Sequence, residues 1–274
     1  MYTWNRPILK ANGRLALQNR YWLGVAVSLV ALLLSGAVVA LVQMQVSLSL
    51  LRELWDTMDG FFYLTPGGLH ASWGGRGGLD PYLVFRMRWL WQFALLTWLL
   101  SLLALAAAIF AGGPLQVGQA RYFVHNRFGD TRFGLVFSGF QQRWLNTVAV
   151  KFTTNLFVWL WSLLFVVPGV VASYRYYYVD FLLADNPGLT GARARALSRM
   201  LTDGEKGRLF VFDLSFLGWI LLAGLVDAVT FFVGGSALLM PYLMASRAEL
   251  YLFARDRAIN AGQLDPAELN LVAG

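Results

Sequence analysis

The chain contains no cysteine and only two histidines, His70 and His125, among 274 residues. The first absence excludes disulfides, thiol chemistry and cysteine-based metal sites. The two histidines lie far apart in sequence and lack metal-binding spacing. Charge is also scarce. Only 14% of residues are charged, where a soluble domain carries about 25%. P-loop, G-x-S-x-G and H-E-x-x-H patterns are missing too, so neither the usual nucleotide-binding nor the usual hydrolase signatures apply. No cofactor is implied and no enzymatic activity is expected.

What is present is apolar. Hydrophobic residues make up 58% of the chain, and several runs exceed the ~18 residues that read as a membrane-spanning helix. The expected fold is all-α: a polytopic transmembrane bundle of about six spans with amphipathic interfacial helices. Residues 1–259 form a single transmembrane domain and 260–274 a frayed tail. The net charge is +7. Basic residues hold loops on the cytoplasmic side, which accounts for that excess without a nucleic-acid partner.

The first span is expected at about 21–46. Arg6, Lys10, Arg14 and Arg20 precede it with no acid among them, which keeps that flank cytoplasmic. Its apolar run is longer than the ~7–15 residues of a signal peptide. Between this span and the next, an amphipathic piece sets Glu53, Asp56 and Asp59 opposite Leu50, Leu51, Leu54 and Trp55. A Gly-rich strip follows, and both suit the outer side. Span two covers about 89–111 and is ended by Gly112, Gly113 and Pro114. Residues 115–147 are basic and aromatic, with two pieces, 121–129 and 132–140, expected to lie along the membrane surface.

Residues 148–186 are too long for one crossing. At 1.5 Å per residue they span about 58 Å against a ~30 Å hydrocarbon core. Both flanking segments are basic, so the chain must cross twice between them. The break is set at Pro168-Gly169, giving spans at about 147–167 and 170–184. The last two spans are expected at 209–232 and 237–253, with both termini cytoplasmic. A basic surface segment followed by two spans thus recurs three times, at 11–20, 116–143 and 191–208.

Pro187 to Trp219 organises the chain. Pro187, Gly188 and Thr190 form a breaker and helix cap. A short helix over 192–201 carries a basic stripe of Arg195 and Arg199, four apart and facing one way. Lys206 extends it toward the turn. Ala192, Ala196, Leu197, Met200 and Leu201 form the expected apolar arc. Cations of this kind are worth ~1 kcal/mol each beside an anionic leaflet, so lipid of the inner leaflet is the expected partner. A second membrane protein or another copy of the chain is a further candidate.

The same stretch carries a recognisable pattern. Ser198, Gly204, Lys206, Leu209, Phe210, Leu214, Ser215, Phe216, Gly218 and Trp219 resemble the signature of the bacterial integral membrane family filed as domain of unknown function 975. Further matches are GPLQVGQARYF at 113–123, SGF at 138–140, PG at 168–169, SY at 173–174, LLADNP at 182–187 and PY at 241–242. The acid that often follows the helix cap in that family is Gly191 here. The resemblance implies a six-span bundle with no established activity. More distantly, the layout is similar to the membrane domain attached to some glycerophosphodiester phosphodiesterases, without their catalytic domain.

Ionisable groups within spans are functional candidates, because a charge at the bilayer centre costs about 3 kcal/mol or more. Arg175, Asp180, Asp213 and Asp227 are the candidate polar site. Lys151, one turn inside its span, is expected to snorkel inward. Arg247 and Glu249 either pair or snorkel. Depth matches Arg175 to Asp227, whereas Asp180 has no deep cation and is expected to accept hydrogen bonds from neutral side chains or to be protonated. The leading function is a non-catalytic membrane protein with basic cytoplasmic helices. A small transporter using the broken helices as a gate is the alternative, and a lipid-headgroup enzyme the third.

Overall fold

The computed structural model describes residues 4–35, 46–52, 55, 62–65, 68–71, 81–141, 143–230 and 234–271. It divides into two compact units, Gly36–Ala107 and the remainder. The first unit holds a helical piece over 46–52, a hairpin of Phe62–Thr65 (β1) and Gly68–Ala71 (β2), and helix α3, Pro81–Ala107. The hairpin pairs Tyr63 with His70 and Thr65 with Gly68. β1 falls at the end of the stretch read from sequence as an amphipathic piece, and β2 in the Gly-rich strip. The strip beyond Ala71, and Glu53, Asp56 and Asp59, fall outside the described residues, as does the second half of the expected first span.

The larger unit is helical. Its elements are α1 (Arg6–Leu17), α2 (Tyr21–Leu34), α4 (Gly113–Arg127), a 3-10 helix at Phe133–Phe140 and α5 (Trp144–Leu164). Then come α6 (Val166–Arg175), α7 (Val179–Asp185), α8 (Gly191–Leu201), α9 (Lys206–Leu214), α10 (Leu217–Thr230), α11 (Gly234–Asn260) and a 3-10 turn at Pro266–Leu269. Among the described residues, Arg88–Arg127 and Trp144–Leu164 are long and apolar enough to cross a membrane. The number rises to four if α1 with α2, bent by 96°, and α9 with α10, bent by 46°, each count as one. The expected spans at 170–184 and 237–253 are not among them. The first is split between α6 and α7, and α11 carries Arg247, Glu249, Arg255, Asp256 and Arg257.

Several local expectations are corrected. Gly112-Gly113-Pro114 does not end the helix. A π-turn over Ala108–Gly112 shifts the backbone register, and Pro114 then falls in the first turn of α4, where its missing N–H costs nothing. The aromatic segment after it is not a surface element. Tyr122, Phe123 and Val124 are buried in the core. The reason lies in two glycines. A Cβ on Gly118 would stand 1.8 Å from the Val136 carbonyl oxygen, and one on Gly139 would stand 2.1 Å from that of Pro114. Only glycine lets the 3-10 helix lie against α4 so closely, and that contact covers the aromatic side chains.

The helix breaks within residues 148–186, ahead of the expected point at Pro168-Gly169. Phe165, in extended backbone, separates α5 from α6, three residues ahead of Pro168. Pro168 then sits in the first turn of α6, where it is tolerated. Gly169 packs so closely on Ser162 that a Cβ there would collide with the serine hydroxyl oxygen, so α6 folds back along α5. Thr190 caps α8 as expected, accepting from the Arg193 N–H. The run from Leu209 is kinked rather than straight. Ser215 bonds the Phe212 carbonyl through its hydroxyl, a local competition with the helix ladder that bends helices.

Burial is uneven along these helices. In α5, Thr147, Val148, Val150, Lys151 and Thr154 are buried, while Trp159, Leu163 and Leu164 are exposed. In α10 only Ala223 is buried. The packed core lies instead among α1, α4, α7, α8 and α11. The expected frayed tail is docked up to Leu269. Leu264 and Leu269 are buried in the core, and Asp265 caps the terminal turn by accepting from Ala267.

Candidate functional site

Asp213 sits near the end of α9 and gathers donors from three residues. Arg247 of α11 donates to its Oδ1 from Nη2 at 3.1 Å and from Nε at 3.3 Å. The Tyr177 hydroxyl donates to the same oxygen at 2.9 Å, and that of Tyr174 to Oδ2 at 3.2 Å. The two tyrosine rings stack at 5.7 Å, and the Arg247 guanidinium lies 5.3 Å from the Tyr177 ring centroid. A carboxylate offers about four acceptor positions, two on each oxygen, and four donors gather on this one, three of them on Oδ1. The group joins α6, α9 and α11, with three donors converging on Oδ1 and the Tyr174 hydroxyl on Oδ2.

The other acids also meet groups of the bundle. Asp180 forms an ion pair with Lys151, so Lys151 does not snorkel and Asp180 does have a cation. The helical fold-back after Phe165 brings α7 alongside the start of α5, an approach that depth along a single axis did not anticipate. Asp227 accepts from the backbone N–H groups of Gly235 at 2.7 Å and Ser236 at 3.2 Å, and from the Ser236 hydroxyl. It caps the start of α11 and makes no pair with Arg175. The expected Arg175–Asp227 contact is therefore not formed. The negative carboxylate meets the orphan N–H groups of a helix N-terminus instead.

Arg175 contributes through its backbone. Its carbonyl accepts from the Ser198 hydroxyl at 3.0 Å, and Ser198 in turn accepts from the Tyr178 N–H at 3.1 Å. Ser198 thus bridges the turn between α6 and α7 to α8. Glu249 pairs with Arg127 at 2.6 Å. Asp185 accepts from Tyr251 at 2.6 Å and pairs with Arg255 at 3.2 Å, both ends being under a tenth exposed. These last two pairs tie α4 and α7 to α11.

The basic stripe separates into unlike members. Arg195 donates to Thr153 at 3.0 Å and lies 5.0 Å from the Phe157 ring, so it is packed on α5. Arg199 is exposed. Lys206 makes only a 3.5 Å pair with exposed Asp203. The apolar arc also turns, since Ala194, Leu197, Ser198 and Leu201 are buried while Ala192 and Ala196 face outward. A more regular cationic row was overlooked in the sequence. Arg6, Lys10 and Arg14 recur every four residues on α1, a spacing that places them on one face. The signal was present, but it served only to orient the chain. His125 lies 3.6 Å from Asp130, and among the described residues no three His, Asp or Glu side chains converge on a metal-sized site.

Residues 142–258 match the model of the family described as Protein of unknown function (DUF975). The matched stretch holds α5 to most of α11, including Ser198, Asp213 and Arg247, and thus the whole bonded cluster. The motifs at 113–123 and 138–140 lie ahead of it. No curated protein matches the chain and no solved structure matches it. The likeness to the membrane domain of glycerophosphodiester phosphodiesterases finds no support in these comparisons.

Proposed function

We propose that this chain is a non-catalytic, multi-pass protein of the cell membrane whose basic cytoplasmic helices contact anionic lipid of the inner leaflet. It crosses six times, at about 21–46, 89–111, 147–167, 170–184, 209–232 and 237–253, with both termini in the cytoplasm. The observation that carries the reading is the 96° bend between α1 and α2. An amphipathic, cationic helix turned at right angles from an apolar one is the arrangement of an interfacial helix beside a span. The exposed apolar ends of α5, α6 and α10 support it. Phe165, Val166 and Val167 are each at least 70% exposed, which is disfavoured in water and suits a lipid surface.

The engagement of these acids with groups of the bundle favours a scaffold over a catalyst or a carrier. A general base needs a free lone pair aimed at a substrate, and a polar path needs ionisable groups that face it. Asp180, Asp213 and Asp227 each meet donors of the bundle instead. The short helices α6 and α7 are held by the Ser198 bridge rather than left as a gate.

The cysteine-free chain allows a direct test of topology. Single cysteines at Gly77, Phe128, Phe165, Asp203 and Val229 would be probed with an impermeant thiol reagent in intact cells. Phe128, Phe165, Asp203 and Val229 are exposed, whereas cysteine at Gly169 or Gly235 would collide with its neighbours. Labelling is expected at 77, 165 and 229 only. Labelling at 128 or 203 would overturn the orientation, and recovery of the chain in the soluble fraction would overturn the membrane reading itself.

A further inference from the structure

Two clefts meet at one pair of side chains. The first, about 450 Å³, lies among α1, α2, α10 and α11, and its walls include Tyr21, Trp219, Leu222, Val226 and Leu238. Apart from Arg14 and the two tyrosine hydroxyls its lining side chains are apolar. The Tyr21 hydroxyl bonds the Leu238 carbonyl at 2.7 Å, holding α2 against α11. The second cleft, about 460 Å³, is lined by Arg6, Lys10 and Arg14 together with Ser215. Arg14 and Tyr242 belong to both, so an apolar slot lies immediately beside a cationic mouth. Each volume falls within the ~300–1,000 Å³ usual for small-ligand sites.

The mouth is electrostatically incomplete. Among the described residues none of its three cations pairs with a carboxylate. Lys10 donates to the Ser215 carbonyl at 3.2 Å and lies 4.0 Å from the Phe216 ring centroid. Arg14 lies 5.1 Å from the Tyr242 ring centroid. Partial burial, then Arg14 and Arg6, hold the Lys10 pKa below its ordinary value. Elsewhere in this unit cations such as Lys151, Arg247 and Arg255 meet acids. An anion placed between Lys10 and Arg14 would relieve that repulsion, and a phosphate fits the fork of an arginine beside the point charge of a lysine.

We propose that this joined cleft binds one anionic phospholipid of the cytoplasmic leaflet, its phosphate on Lys10 and Arg14 and an acyl chain along Trp219, Leu222 and Val226. Charge complementarity selects the occupant. A neutral amphiphile leaves the cations unmatched, and a water-soluble anion leaves the apolar slot unfilled. The site rests on the membrane reading, because α1 must lie at the interface for a headgroup to reach it. It adds to that reading a defined stoichiometry and headgroup preference, where general surface attraction would give neither.

The full chain, purified in detergent and exchanged into mixed phosphatidylglycerol and phosphatidylcholine micelles, would be analysed by native mass spectrometry. One phosphatidylglycerol per chain is expected, retained in preference to phosphatidylcholine. Lys10→Gln with Arg14→Gln should lower that retention roughly thirtyfold, and Val226→Trp should lower retention of both lipids. A phosphatidylglycerol with a photoreactive acyl chain gives a measurement on the unaltered protein, with crosslinks expected within 219–226 and 235–242. Equal retention of the two lipids, indifference to the Lys10/Arg14 change, or crosslinks confined elsewhere would overturn the site. Carbonate-resistant recovery in membranes is scored separately. A chain that stays in membranes without lipid selectivity sinks this proposal alone, whereas a chain found in the soluble fraction sinks the underlying reading.

Discussion

Arg247 of α11 and Asp213 of α9 are joined at 3.1 Å, with Arg247 also lying over the ring of Tyr177. The contact links residues far apart in sequence and closes three helices around a bonded carboxylate. Both side chains are partly buried, and removing either charge leaves the other without its ion partner, at a cost of about 1–3 kcal/mol. Asp213→Asn and Arg247→Gln should each lower the melting temperature of detergent-solubilised protein by a few degrees. Combining them should cost clearly less than the sum, because the second change removes the stranded charge. Strictly additive losses would show that the pair is not coupled.

Arg195 and Arg199, alike in sequence, should behave differently. Arg195 bonds Thr153 and stacks near Phe157, so Arg195→Gln is expected to cost about 1–3 kcal/mol. Arg199→Gln touches an exposed group and should stay within ~0.5 kcal/mol. Thermal unfolding of the two single variants decides the matter. Equal losses would mean that both residues, or neither, pack on the bundle.

Gly118 and Gly134 give a second contrast. A methyl group on Gly118 would run into the Val136 carbonyl, whereas nothing lies within 4 Å of the same position on Gly134. Gly118→Ala should therefore destabilise by about 1–3 kcal/mol or more, as overpacking does, and Gly134→Ala should not. A stable Gly118→Ala protein would mean that the 3-10 helix can move off α4 without penalty.

The C-terminal turn should loosen in acid. Arg193 on α8 clasps Glu268 with two hydrogen bonds, and they hold the Glu268 pKa below its ordinary value. An acid with a depressed folded pKa stabilises the fold above its unfolded value of ~4.3 and loses that contribution as pH falls through the folded value. A spin label on a single cysteine at Leu271 should be restrained at pH 6 and gain mobility as the pH falls below the ordinary glutamate range. Glu268→Gln should make it mobile at both. A label equally restrained in that variant would assign the docking to Leu264 and Leu269 alone.

Composition and run length in the sequence determined the helical class, the break within residues 148–186 and the cap at Thr190. Those features are local. A long apolar run, a Pro-Gly pair or a threonine ahead of a helix acts through neighbours within a few residues, so one dimension suffices to read them. Tertiary structure alone decided the partners. Asp180 met Lys151 because the chain folds back after Phe165, and Asp227 met the start of α11 instead of Arg175. Gly118 and Gly139 turned an aromatic segment from a surface helix into core, since only the facing carbonyls reveal that no side chain fits. The row of Arg6, Lys10 and Arg14 was legible as spacing, yet its meaning depended on the apolar slot that α10 and α11 set beside it. Helix periodicity fixes which residues share a face, and packing fixes what that face meets.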